Sequence, residues 1–172
     1  LADLLTIEET FGTRTGKILT YIGDGNNMAH SLMIGGALSG MEIRICAPAA
    51  YAPDPQVVHE AQVIAKETGG NIIVMTDPEE AASGADVVYT DVFASMGQEE
   101  EATMRLQAFE GYQVNAQIMN QAKDEAIFLH CLPAHRGEEV ATDVIDGKQS
   151  VIFDQAENRL HAQKALLVTL LG

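Results

Sequence analysis

Residues 18–39 read ILTYIGDGNNMAHSLMIGGALS: an apolar run, a polar turn with two glycines, then a stretch with helical spacing. The run at 18–22 carries no charge and lies between Lys17 and Gly23, the pattern of a strand buried on both faces. Gly23 and Gly25 permit a tight turn, and the helix expected over 28–39 turns its free N–H groups toward it. The same alternation continues along the chain. Further apolar runs lie at 43–46, 72–75, 87–89, 127–130 and 151–153, and helical spacing appears at 55–68, 78–83, 99–109, 115–122, 138–145 and 155–170. Strand and helix in alternation predict an α/β fold: a doubly wound, mostly parallel open sheet of about five strands with helices on both faces. Such sheets bind ligands outside the carboxyl ends of their strands, so the residues just after each apolar run are where chemistry is sought.

The 172 residues suffice for one domain, and 47% hydrophobic against 20% charged residues excludes a disordered chain. Ten basic and 25 acidic residues give a net charge of −15, a field that repels a phosphate backbone, so no nucleic-acid partner is expected. No apolar stretch approaches the roughly 18–20 residues of a bilayer span, and no basic-then-apolar leader opens the sequence. A soluble, cytoplasmic protein without a membrane partner is expected. Cys46 and Cys131 each lie in an apolar run, which in that setting points to separate thiols rather than a disulfide. The sequence opens at Leu1 with LADLLTIEE, an amphipathic helix already in progress, and an upstream segment is expected. No internal repeat, low-complexity tract or linker interrupts the chain.

The turn Gly23-Asp24-Gly25-Asn26-Asn27-Met28 supplies two of the three glycines of a dinucleotide fingerprint. The third position is Met28, and no acid stands near Cys46 to take a ribose hydroxyl, so a nicotinamide cofactor is not expected. Asn27 is either a helix N-cap or a ligand contact, roles that can coexist. After the fourth run comes Thr90-Asp91-Val92-Phe93-Ala94-Ser95-Met96-Gly97-Gln98. Asp91 either caps a turn or pairs with a substrate ammonium that the Ser95 hydroxyl shares, and the glutamates at 99–101 read as a solvated helix start. After the fifth run, His130-Cys131-Leu132-Pro133-Ala134-His135-Arg136-Gly137, the proline ends the strand and makes Leu132-Pro133 a candidate cis peptide. Residues alone read Cys131 as a structural thiol. A zinc site from His130, Cys131 and His135 lacks a fourth ligand, and a Cys–His nucleophile lacks an orienting third group. Arg159, read at the start of the last helix, is unfavourable for the dipole without an anion. It is a candidate for a phosphate or carboxylate contact, or for a surface ion pair with Glu157 or Asp154.

Together, Gly-Asp-Gly-Asn-Asn followed by His30, Asp91-x-x-x-Ser95-Met96-Gly97-Gln98-Glu99, His130-Cys131-Leu132-Pro133 and Glu157-Asn158-Arg159 resemble the ornithine-binding half of the ornithine carbamoyltransferases, over the whole of 1–172. The aspartate carbamoyltransferases share the architecture without Ser-Met-Gly and His-Cys-Leu-Pro at these places. The resemblance implies a Rossmann-like second domain and a carbamoyl transfer from carbamoyl phosphate to the δ-amine of L-ornithine, giving citrulline and phosphate. It implies that Asn27, Asp91, Ser95 and Met96 hold ornithine, that Cys131 and Leu132 line the reacting centre and contact carbamoyl phosphate, and that Arg159 helps hold the carbamoyl group. Among these, Cys131, Asp91 and Arg159 are the implied catalytic residues. Neither a metal nor an organic cofactor is implied.

The family's Ser-Thr-Arg-Thr-Arg and His-Pro-x-Gln motifs, which bind carbamoyl phosphate, belong upstream of Leu1. Thr13-Arg14-Thr15 is no substitute, because Gly16-Lys17 leads into a strand rather than a helix. The expectation is therefore an ornithine-binding domain, inactive by itself, whose helices at 1–16 and 155–172 pack toward a carbamoyl phosphate domain. The implied parent enzyme is a trimer or multiple of trimers with its main trimer contacts in that other half. A different class stays open: a non-catalytic amino-acid-binding or regulatory module derived from a carbamoyltransferase.

Overall fold

The computed structural model describes residues 1–93 and 102–172. Among them, β1 (Ile18–Ile22), β2 (Glu42–Cys46), β3 (Asn71–Met75), β4 (Val87–Thr90) and β5 (Ile127–His130) form one parallel sheet in the order β3-β2-β1-β4-β5. The helices are α1 (Ala2–Phe11), α2 (Asn27–Leu38), α3 (Pro55–Thr68), α4 (Pro78–Ala82), α5 (Ala102–Ala108), α6 (Ala116–Met119), α7 (Thr142–Ile145) and α8 (Ile152–Leu171). This is the expected doubly wound, Rossmann-like architecture.

Alternation along the strands divides the core into two layers. Leu19, Tyr21, Ile43, Ile45, Val87, Tyr89, Ile127 and Leu129 face a cluster that includes Ile7 of α1, Met33 of α2 and Ala61 of α3. Ile22, Cys46, Val88 and Phe128 face the opposite cluster, with Ala81 of α4, Ile118 of α6 and Val144 of α7. Asp54, Asp77 and Asn115 cap α3, α4 and α6 through backbone N–H groups, and Pro55 and Pro78 begin the first two. No helix among the described residues is long and apolar enough to cross a membrane.

Three expectations are corrected. The run at 151–153 is not a strand: Ser150 makes one parallel bridge to Phe128, then α8 begins at Ile152 and leaves Phe153 74% exposed. Three apolar residues fit a helix start as well as a strand, and Asp154 in the first turn favours the former. The helix expected over 138–145 shrinks to α7, because Val140 is drawn into bridges with Val114 and Arg136. The cap of α2 is Asn26, whose side chain accepts from Met28 N–H at 2.8 Å, rather than Asn27. Cys46 and Cys131 are both free thiols.

Helices α1 and α8 lie against each other, and α8 lies beside β5. Asn158 is buried and donates to Thr6 Oγ1 at 3.0 Å and Glu9 Oε2 at 2.7 Å. Farther along α8, Leu160, Leu166, Leu167, Val168, Leu170 and Leu171 are exposed.

Candidate functional site

Strand order reverses between β1 and β4, so their carboxyl ends are where such a sheet places its ligand crevice, beside the turn after β1, residues 91–93 after β4 and the turn after β5. The first turn is held tightly. Gly25 N–H donates to Tyr51 O at 2.8 Å, and a Cβ on Gly25 would lie 2.2 Å from Pro53 N, so this glycine serves a close backbone approach. Beside it, Asp24 is buried and paired with Arg105 of α5 at 2.7 Å. Arg105 also donates to Phe93 O at 3.3 Å and lies over the Tyr51 ring. With Phe93 stacked on Phe109 at 4.6 Å, these contacts anchor the chain on either side of 94–101.

Asp91 follows β4 and is 8% exposed. Its Oδ1 accepts from Val92 N–H at 2.8 Å and from the Cys131 thiol at 3.0 Å; Oδ2 has no hydrogen-bond partner among the described residues. Burial, and next the Asp91 charge, push the Cys131 thiol far above its ordinary range. Cys131 is therefore a neutral donor to Asp91, not a thiolate nucleophile. Nearby, the Tyr21 hydroxyl is wholly buried and has no hydrogen-bond partner among the described residues. Burial first, then Asp91, Cys131 and Asp24, hold its pKa well above the usual phenol value.

The turn after β5 is set by buried groups. Leu132 N–H donates to His130 Nδ1 at 2.9 Å, which puts the ring proton on Nε2, facing Glu139 Oε1 at 3.2 Å. The same carboxylate oxygen accepts from His135 N–H at 2.6 Å. Burial pushes the Glu139 carboxyl upward, but the bonds from His130 and His135 N–H outweigh it and leave its pKa below the ordinary value. These contacts hold Leu132 at a φ of 57°, a region that costs a branched residue about 1–2 kcal/mol. The Leu132-Pro133 peptide is cis, as the sequence suggested.

Of the residues singled out from sequence, the fold brings together Asp91 and Cys131, with Leu132 adjoining. Asn27 is exposed at the start of α2, without a side-chain hydrogen bond among the described residues. Ser95 and Met96 lie outside the described residues. Arg159 is exposed in the third turn of α8, not at the helix start, so the dipole no longer bears on it; no contact joins it to Asp91 or Cys131. Arg136 spends its fork on Asp146 at 3.0 and 2.8 Å, and Arg14 pairs with Glu8 at 2.8 Å.

Asp91, His130 and Cys131 place donor atoms within 4.8 Å of one another, as do His135, Glu138 and Glu139. Both His130 nitrogens are engaged, and Glu139 Oε1 already accepts twice. Sequence reasoning gave no role to the Asp24–Arg105 pair, to Glu139 or to Tyr21. A lone arginine in the acidic stretch at 99–109 was the available signal for the first; nothing distinguished Glu139 from the exposed Glu138 beside it.

Taken with its charge, the crevice suits a cation: Asp91 presents a carboxylate oxygen without a hydrogen-bond partner among the described residues, and the Arg105 guanidinium is paired with Asp24. Comparison with known proteins agrees with the motifs. Residues 15–170 match the family described as "Aspartate/ornithine carbamoyltransferase, Asp/Orn binding domain". The chain is 60% identical to an ornithine carbamoyltransferase of Symbiobacterium thermophilum and 58% to one of Nostoc punctiforme, over 100% of its own length and 56% of theirs. It thus spans about half the length of the curated relatives it matches. Among solved structures it is similar to the ornithine carbamoyltransferase of Gloeobacter violaceus, with a TM-score of 0.91 at 53% identity, covering 99% of this chain and 57% of that one. For the Pyrococcus furiosus enzyme the TM-score is 0.93 at 53% identity, covering 96% and 53%. The chain belongs to the aspartate/ornithine carbamoyltransferase family, in its Asp/Orn-binding domain.

Proposed function

We propose that this chain is the ornithine-binding part of an ornithine carbamoyltransferase, with the L-ornithine α-ammonium on Asp91 and the δ-amine delivered toward Cys131 and Leu132. The observation that carries this reading is the 3.0 Å contact between Cys131 and Asp91, which joins two separate sequence motifs at the crevice. In the proposed reaction the neutral δ-nitrogen attacks the carbamoyl carbon of carbamoyl phosphate, a C–N bond forms and the C–O bond to phosphate breaks. Phosphate leaves with that electron pair and takes up the proton that the δ-nitrogen loses. A carboxylate at one end keeps the α-amine charged, while a drier environment at the other favours the neutral δ-amine. Positioning and charge stabilisation then supply most of the rate.

Asn27, Ser95 and Met96 complete the ornithine contacts in this reading, and Arg159 reaches the carbamoyl group from α8. Carbamoyl phosphate itself is held by a second domain, toward which α1 and the exposed apolar residues of α8 pack, and the whole enzyme is a trimer or multiple of trimers. The test is to mix the chain with a separately produced carbamoyl phosphate domain from a relative, supply both substrates and assay citrulline. Citrulline that appears only with both parts, and is lost with Asp91→Asn, supports the proposal. No citrulline despite ornithine binding to the chain favours a non-catalytic amino-acid-binding module.

A further inference from the structure

We propose that Gln155 is a positioning residue that couples the α1–α8 pair to the turn carrying Cys131. The chain begins a sixth strand beside β5 and abandons it. Phe128 N–H donates to Gln149 O at 2.8 Å and Val151 N–H to Phe128 O at 3.1 Å, the two bonds of a single parallel bridge. The next N–H on that outer edge, two residues on, belongs to His130, and by then the backbone has turned into α8. Gln155 supplies what the missing strand would have: its Oε1 accepts from His130 N–H at 2.9 Å.

The other end of the same carboxamide reaches α1. Nε2 donates to Asp3 Oδ1 at 2.6 Å and to the Tyr89 hydroxyl at 3.0 Å. One backbone donor and one carboxylate acceptor fix which end of the amide is oxygen, and Gln155 is 3% exposed. Its acceptor and both donors are therefore used in one orientation, so a shift of α1 along α8 pulls on His130 N–H. His130 is the residue before Cys131, and its ring holds Leu132 N–H. Motion of the helix pair is thus transmitted to the thiol beside Asp91 through one side chain. This inference does not depend on which amino acid the crevice binds.

The experiment is amide hydrogen exchange on the chain, resolved by NMR, with alkylation of Cys131 followed by mass spectrometry. Gln155→Leu should speed exchange at His130 about tenfold beyond the change at Ile45, an interior reference in β2. Asp3→Ala, on the partly exposed face of α1, should speed it about threefold and change the Cys131 alkylation rate in the same direction as Gln155→Leu. Asp3→Asn keeps the acceptor oxygen and should restore both readings toward the parent. A purely structural role would move His130 and Ile45 together. That result, or an Asp3→Ala variant with unchanged His130 exchange, overturns the proposal. Should Gln155→Leu fail to fold, the two Asp3 variants decide it alone.

Discussion

Replacing Glu139 by Gln tests whether the turn after β5 is held by a buried carboxylate. Glu139 is wholly buried, its Oε1 accepts from His130 at 3.2 Å and from His135 N–H at 2.6 Å, and its Oε2 has no hydrogen-bond partner among the described residues. The amide in Glu139→Gln keeps one acceptor but puts an NH2 where Oε2 lay, leaving a buried donor unmet at about 1–3 kcal/mol. Loss of charge from the two remaining bonds adds about 1 kcal/mol, since bonds to charged groups are roughly twice as strong as neutral ones. The expected loss at pH 7 is about 2–4 kcal/mol, or about 5–15 °C in Tm for a domain of this size. The pH dependence has a definite sign. Because the folded-state pKa of Glu139 is lowered, its contribution is complete above the unfolded value, about 4.3, and is lost as pH falls through the folded one. Thermal unfolding followed by circular dichroism should show a gap between parent and variant that is constant above about pH 5 and closes in acid. A gap under about 2 °C at pH 7, or one that fails to narrow in acid, would refute this account of the turn.

Other perturbations test the crevice directly. Arg105→Leu leaves Asp24 buried without its guanidinium and should cost about 3–5 kcal/mol in urea unfolding; a loss below about 1 kcal/mol would show that the pair anchors nothing. Gly25→Ala places a methyl 2.2 Å from Pro53 N and should destabilise by at least about 1–3 kcal/mol, read as a lower urea midpoint. Cys131 should alkylate more slowly at pH 8 than a free cysteine peptide, and Asp91→Asn should accelerate it by removing a charge that opposes the thiolate; an unchanged rate contradicts the contact.

The fold was legible because its strands are short, mostly apolar runs bounded by turn residues, with charges in β2 at Glu42 and Arg44, and because Asp54, Asp77 and the prolines after them mark helix starts. The run at 151–153 misled because its pairing stops at one backbone bridge to Phe128, and the next donor on that edge, His130 N–H, is met by the Gln155 side chain rather than by backbone, which no hydrophobic pattern encodes. Misplacing the start of α8 also put Arg159 at a helix end where it does not lie. At the crevice, Asp91 and Cys131 could be found because each follows a strand that the sheet order sets side by side. The Asp24–Arg105 pair spans 81 positions and joins a turn to a distant helix, so only the folded chain brings it into view. Glu139 is adjacent to an exposed glutamate, and its burial follows from the pull of Val140 into bridges with Val114 and Arg136.

Calorimetric titration of the chain with L-ornithine and with norvaline, which lacks the δ-amine, tests the central claim most directly, with Asp91→Asn as the control. The account predicts that both ligands bind the parent chain and neither binds the variant, because the α-ammonium is what Asp91 holds. Binding that survives Asp91→Asn, or no heat with either ligand at millimolar concentration, would contradict it.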